Sequence, residues 1–146
     1  MAKGRILLAH GNTDCQTIYG SALAHDGYAV DVVVDVESAL QNLAGASYDL
    51  VVADLYLQSV GDECLIRRMR QLPLAAHLPV VVLTGWTTEP HRRVAMHEDA
   101  DGFLPLPTRP RDLVATVASL LDQPSRQNSA SSARATDEDG PVMKEF

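Results

Sequence analysis

Asp54 is the residue of this chain whose position most clearly points to chemistry. It directly follows the short apolar run 50–53, which is typical of a buried strand. In an α/β sheet the carboxyl end of such a strand faces the crevice where ligands bind. A buried carboxylate without a partner is costly. The position therefore predicts a functional acceptor, or else a carboxylate kept for capping and loop hydrogen bonds.

Other chemically distinctive residues stand at the ends of other apolar runs. His10, Gly11 and Asn12 follow the first run, and Thr84 ends the fourth. We expect His10 to be a surface loop histidine, with a metal ligand or a phosphoacceptor as the alternative. Leu106 and Pro107 follow the last run. In a parallel sheet all these positions share one edge with Asp54.

Two hydrophobic periods alternate along the chain and predict the elements that place these residues. Apolar, β-branched runs indicate strands, and apolar residues at i, i+3 and i+4 indicate amphipathic helices. Asp14 to His25 has this helical spacing, with Ile18 among its apolar positions, and Gly27 follows as a stop. Asp14 is expected to start or cap the first helix, and Asp35 to cap the second. The strands are expected at 6–9, 29–34, 50–53, 79–84 and 102–105, and the helices at 14–25, 36–45, 62–72, 88–98 and 109–121.

Five strand-helix repeats predict an α/β fold with helices on both faces of a parallel sheet. At this size the flavodoxin-like five-stranded order 2-1-3-4-5 is the common solution. Residues 1–123 form the patterned domain. Residues 124–146 are rich in Ser, Ala, Asp and Glu, and we expect a flexible, disordered tail.

Composition narrows the function classes. The chain has 146 residues, 46% of them hydrophobic, and a formal net charge of −7. This acidity argues against nucleic acid, which needs a basic surface. No apolar run is long enough for a membrane span or a signal peptide. The cysteines Cys15 and Cys64 lie in helical patterns as small hydrophobes. We expect a cytoplasmic protein.

Over residues 5–122 the chain resembles the receiver domains of bacterial response regulators, of the CheY-like superfamily. The resemblance rests on the order and spacing of four short motifs, which are Gly27-Tyr28, Ala53-Asp54-Leu55-Tyr56-Leu57, Val82-Leu83-Thr84-Gly85 and Ala100-Asp101-Gly102-Phe103-Leu104. It implies that Asp54 is the phosphoacceptor of a two-component phosphorelay. It also implies that Thr84 binds the phosphoryl group and that Phe103 is a switch aromatic. The residues alone leave open that Thr84 is a strand-end hydroxyl bonding its own loop and that Phe103 is ordinary core packing.

The chain departs from the family pattern at the other pocket positions. His10 and Gly11 stand where the family has the acidic pair that holds Mg²⁺, and Leu106 precedes Pro107 where it has a lysine. Mg²⁺ prefers hard oxygen ligands, so the resemblance leaves magnesium doubtful and no other cofactor or metal expected. We expect Arg109 and Arg111 to sit at the start of the last helix, with replacement of the missing lysine as the alternative.

The resulting hypothesis is an atypical stand-alone receiver, a pseudo-receiver, that is not an enzyme and acts through protein contacts with weak or no phosphorylation. Its implied partners are a histidine kinase, a histidine phosphotransfer protein or an effector, and a homodimer is possible. Trp86 is either a partner anchor, a lid on Asp54 or an ordinary loop aromatic. A second hypothesis is slower phosphotransfer with another cation at His10 or Arg109. A flavodoxin-like small-ligand or enzyme domain using the loop from His10 to Asp14 is the alternative from a different class.

Overall fold

Five short strands alternate with helices along the chain. The computed structural model describes residues 3–54, 57, 65–85 and 100–122. The strands are β1 (Arg5–Ala9), β2 (Ala29–Val33), β3 (Leu50–Ala53), β4 (Val80–Thr84) and β5 (Gly102–Pro105). The helices are α1 (Thr13–His25), α2 (Val36–Gly45), α3 (Leu65–Met69) and α4 (Pro110–Leu121).

The strands form one parallel sheet in the order β2-β1-β3-β4-β5, which confirms the predicted flavodoxin-like topology. The two central strands β3 and β4 are apolar and buried throughout, apart from the hydroxyl of Thr84. Because β3 and β4 are covered on both faces, their sequences read as continuous apolar runs rather than alternating ones. Their register places the residues after Ala53 beside the end of β4.

Helices cover both faces of the sheet, and each face has its own hydrophobic cluster. The α1-face cluster joins α1 and α4 to one face through Tyr19, Leu23, Leu113 and Val117. The α2-face cluster joins α2 and α3 to the opposite face through side chains such as Val36, Leu43, Ile66 and Met69. Burial of these side chains holds the sheet rigid, so that the strand ends keep fixed relative positions.

Local signals in the sequence account for the helix ends. The Asn12 side chain accepts a hydrogen bond from the Cys15 N–H and caps α1, whereas Asp14 lies in the first turn. Asp35 accepts the Ser38 N–H and caps α2, as predicted. Gly27 follows α1 with φ of +107°, a conformation that glycine adopts without the steric cost of a Cβ.

Some predictions are corrected and others lie outside the described residues. Ile18 was expected on the apolar side of α1 but is 49% exposed, because the helix packs on its sheet through Tyr19 and Leu23 instead. The helix predicted at 88–98, Cys64 and the tail 124–146 lie outside the described residues. Within the described residues, no helix has the length and apolar character needed to cross a membrane.

Candidate functional site

The sheet brings the predicted site residues to one edge. Asp54 continues β3, and its N–H donates to the Ala9 carbonyl at the end of β1 at 3.0 Å. Leu106 continues β5, and its N–H donates to the Thr84 carbonyl at the end of β4 at 2.9 Å. His10, Asp54, Thr84 and Leu106 therefore stand at the carboxyl ends of β1, β3, β4 and β5, as expected.

The Asp54 carboxylate is only partly satisfied. Its side chain is 21% exposed, and its Oδ2 lies 3.9 Å from His10 Nε2. Its Oδ1 is buried and accepts no hydrogen bond from the described residues. Buried polar atoms are nearly always hydrogen-bonded, so an orphaned carboxylate oxygen in a crevice marks a place where a donor or a cation fits.

His10 is buried, with 2% of its surface exposed, so its interpretation as a surface loop histidine is wrong. Its Nδ1 accepts the N–H of Asn12 at 3.2 Å, and its Nε2 lies 3.1 Å from the carbonyl oxygen of Leu83. An N–H can only donate and a carbonyl can only accept, so this arrangement assigns the proton to Nε2 and leaves Nδ1 bare. In this state the imidazole is neutral and supplies no positive charge to Asp54.

The loop between β1 and α1 is fixed around this imidazole. The Gln16 side-chain amide donates to the His10 carbonyl at 2.7 Å, and the Asn12 amide oxygen is occupied as the cap of α1. Gly11 is exposed, and among the described residues a Cβ there would meet only the Val34 carbonyl, at 3.9 Å. The side-chain amides of this loop are therefore engaged in hydrogen bonds within the loop and α1, and position 11 has room for a longer side chain among the described residues.

Beyond β4, the loop between β5 and α4 begins with the apolar residues Leu106 and Pro107. Leu106 is half-buried and packs against the α1-face cluster, and the Leu106–Pro107 peptide is cis. The Tyr19 hydroxyl holds this loop by donating to the Thr108 carbonyl at 2.6 Å. Arg109 stands at the start of α4 and contacts Asp112 at 3.5 Å, so it occupies the expected helix position and does not take the alternative role of replacing a lysine.

The other predicted site residues occupy different surroundings. Thr84 is fully buried at the end of β4, while Phe103 is half-buried and packs against the α2-face cluster. Arg111 lies on the exposed surface of α4. Trp86 lies outside the described residues. The switch roles of Thr84 and Phe103 stay predictions.

Cys15 and Tyr19 are wall residues that the sequence analysis missed as parts of the site. The Cys15 thiol lies in the first turn of α1 and packs against the α1-face cluster. Burial raises its pKa, and the nearby carboxylates of Asp54 and Asp14 raise it further, so the thiol stays protonated at neutral pH. In the sequence, Cys15 and Tyr19 are related only by their i, i+4 spacing on α1, and this spacing indicates ordinary helix packing as readily as a site.

Comparison with known proteins identifies this architecture. The model of the response regulator receiver domain family matches residues 6–118. Transcriptional regulatory protein TctD of Salmonella typhimurium is 30% identical over 123 residues, and response regulator SaeR of Staphylococcus epidermidis is 27% identical over 130. These alignments cover 84% and 89% of this chain but 54% of each regulator, so the chain spans about half their length.

Solved receiver structures have the same fold. A response regulator of Chloroflexus aurantiacus superimposes with a TM-score of 0.76 at 25% identity, covering 82% of this chain and 98% of that one. The receiver domain of a sensor histidine kinase from Pseudomonas aeruginosa, crystallised with a magnesium ion in its active site cleft, also gives 0.76, at 22% identity, covering 84% and 100%. The chain belongs to the response regulator receiver domain family, which works in two-component signalling with histidine kinases and effectors.

The magnesium ion that the family implies does not fit the described donor set. Mg²⁺ demands near-octahedral oxygen ligands, usually one or two carboxylates together with waters and phosphate. Asp54 offers the single carboxylate, Asn12 Oδ1 is engaged by the Cys15 N–H, and both His10 nitrogens are engaged. Among the described residues, no group of three or more His, Cys, Asp or Glu side chains is arranged to hold a metal.

Proposed function

We propose that the chain is an atypical receiver that signals mainly through protein contacts, with Asp54 phosphorylated weakly or not at all. The observation that carries this proposal is the electrostatic setting of Asp54. On the β1 side the carboxylate faces a neutral imidazole, and on the β5 side the chain has the aliphatic Leu106. Neither neighbour supplies the positive charge that phosphoryl transfer requires.

Phosphoryl transfer depends on positioning and on neutralising negative charge, because the transferred group spreads charge over its oxygens. When Asp54 attacks a phosphodonor, a bond forms between its carboxylate oxygen and phosphorus while the donor's phosphorus–oxygen bond breaks. Two anions must approach each other for this to occur. Without a cation beside Asp54 we expect the rate to fall by orders of magnitude, since removing even one stabilising donor costs about 10²–10³ in rate.

Binding to other proteins does not require a cation beside Asp54, so it is the function that the missing charge does not impair. The strand ends and helical surfaces described above are present with Asp54 unmodified. We propose a histidine kinase, a histidine phosphotransfer protein or an effector as partner, as the family implies. The alternative ligand domain would use the loop from His10 to Asp14, which is tied by its own hydrogen bonds, and no observation favours it.

Incubation with acetyl phosphate tests the proposal. The intact mass is measured with and without Mg²⁺, beside Asp54→Asn as the control. We expect no phosphoryl adduct, or a minor one that does not depend on Mg²⁺. A stoichiometric, Mg²⁺-dependent gain of one phosphoryl group that disappears in Asp54→Asn would contradict the proposal and identify a working receiver.

A further inference from the structure

The Asp54 carboxylate has no cation of its own in the part of the chain that the structure describes. His10 is the basic side chain recorded within ion-pair distance, and its two hydrogen bonds hold it in the neutral form. Several other described basic side chains form ion pairs elsewhere. Lys3 pairs with Asp26, Arg5 with Asp31, Arg68 with Glu37 and Arg109 with Asp112.

The Asp54 carboxylate lacks both a neutralising cation among the described residues and a hydrogen-bond donor to Oδ1. A charge taken out of water without a partner is expensive, and a hydrogen-bonded cation removes most of that cost. The side chain is nevertheless 21% exposed, so a group arriving from outside can reach it. Rotation about the Cβ–Cγ bond of an aspartate is soft, so either carboxylate oxygen can turn toward that group.

We propose that Asp54 is the docking point for a basic side chain, the guanidinium or ammonium group of a partner protein inserted at the carboxyl edge of the sheet. This inference rests on the proposed function, in which the chain works through protein contacts. A partner's basic side chain would place at Asp54 the positive charge that the described neighbours do not provide.

The donor set favours an organic cation over a metal ion. A metal ion needs several oxygen ligands around Asp54, and the nearby Asn12 amide oxygen is already engaged. A guanidinium or ammonium needs only one carboxylate, and it donates the hydrogen bonds that the orphaned Oδ1 lacks. The chain's net charge of −7 adds a long-range attraction for a basic partner and speeds its approach.

The test uses hexa-arginine peptide as the probe on the full chain, without any phosphodonor. Amide chemical shifts of His10, Asp54, Leu83 and Thr84 are followed by two-dimensional NMR during titration. We expect saturable shifts in the wild type and roughly tenfold weaker binding in Asp54→Asn, the size of one charge-assisted hydrogen bond. Asp14→Asn, which removes the same charge from the neighbouring first turn of α1, is the matched control and keeps the wild-type response.

A second pair of variants offers the site an internal competitor. Leu106→Lys places an ammonium at the sheet edge, at the position where the family has its lysine, and we expect it to weaken the peptide shifts, whereas Leu106→Met keeps them. Equal shifts in wild type and Asp54→Asn, or equal losses in Asp14→Asn and Asp54→Asn, would overturn the proposal in favour of general attraction to an acidic surface. The absence of shifts would overturn it outright.

Magnesium chloride at matched ionic strength separates this inference from the proposed function. We expect Mg²⁺ to leave the four amides unshifted. Mg²⁺ shifts that vanish in Asp54→Asn would replace the basic side chain with a metal. The acetyl phosphate experiment measures only the intact mass. A protein that is phosphorylated but does not bind the peptide is therefore distinguished from one that binds the peptide but is not phosphorylated.

Discussion

Asp31 and Asp54 are two carboxylates on the same sheet with opposite surroundings. Asp31 lies on β2 and accepts hydrogen bonds from the Tyr48 hydroxyl at 2.7 Å and from the Arg5 guanidinium at 2.8 Å. The Arg5 guanidinium also stacks over the Tyr48 ring at 4.7 Å. Asp54, by contrast, has a neutral histidine at 3.9 Å and one oxygen with no described donor.

Asp31 is a carboxylate whose contacts stabilise the fold, whereas the contacts of Asp54 within the described residues do not neutralise its charge. The hydrogen bond from Tyr48 lowers the pKa of the Asp31 carboxyl, and the bonds from Arg5 lower it further, so the folded state favours its charged form. At Asp54 the fold provides position but no neutralising charge. Natural proteins accept such unsatisfied groups mainly at functional sites.

The largest expected effect comes from giving Asp54 the cationic surroundings that it lacks. The triple variant His10→Asp, Gly11→Asp, Leu106→Lys should increase Mg²⁺-dependent labelling by acetyl phosphate roughly 100-fold, because it supplies two carboxylates for the metal and one ammonium. Position 11 has space for the new side chain. The labelling rate is measured by intact mass, with Asp54→Asn added to the triple variant as the control. A folded triple variant with unchanged labelling would show that the poor acceptor has another cause.

A smaller effect is expected on the free energy of unfolding, and it should differ between the two carboxylates. Asp31→Asn should lower the free energy of unfolding by about 1–2 kcal/mol, because it weakens hydrogen bonds that are charge-assisted but partly screened by solvent. Asp54→Asn should leave it unchanged or raise it by up to about 1 kcal/mol, because it removes a poorly compensated charge. Urea unfolding measures both, and Asp122→Asn is the surface control. Equal destabilisation by the two substitutions would remove the distinction between them.

The fold could be read from the sequence because its signals are local and repeated. Strand and helix periods, the Asp35 cap and the Gly27 stop each need only a few neighbouring residues, and their alternation leaves few topologies. The Asn12 cap was missed because Asp14, two residues further on, is an equally good capping type. Ile18 was misplaced because an apolar residue at helical spacing does not reveal how far around the helix the buried face extends.

The environment of the site could not be read in the same way, because it depends on contacts distant in sequence. The buried His10 ring contacts the Leu83 carbonyl, 73 residues away, and no local sequence pattern predicts that contact. The Tyr19 hydroxyl reaches Thr108 across 89 residues. Residue types predicted which positions meet at the sheet edge. They could not predict the tautomer of His10 or the orphaned oxygen of Asp54.

The smallest expected effect is the difference in pH dependence of stability between the wild type and Asp31→Asn, which isolates the contribution of Asp31. Its folded pKa lies below the unfolded value of about 3.9, so its stabilisation is complete above that pH and is lost as the pH falls through the lower, folded pKa. Asp35 contributes in the same direction, because the hydrogen bond from the Ser38 N–H lowers its pKa. Urea midpoints measured from neutral pH to below pH ~4 should therefore fall less steeply in Asp31→Asn than in the wild type. Parallel curves for the two proteins would mean that the Tyr48 and Arg5 contacts do not favour the charged carboxylate, and the contrast with Asp54 would then rest on geometry alone.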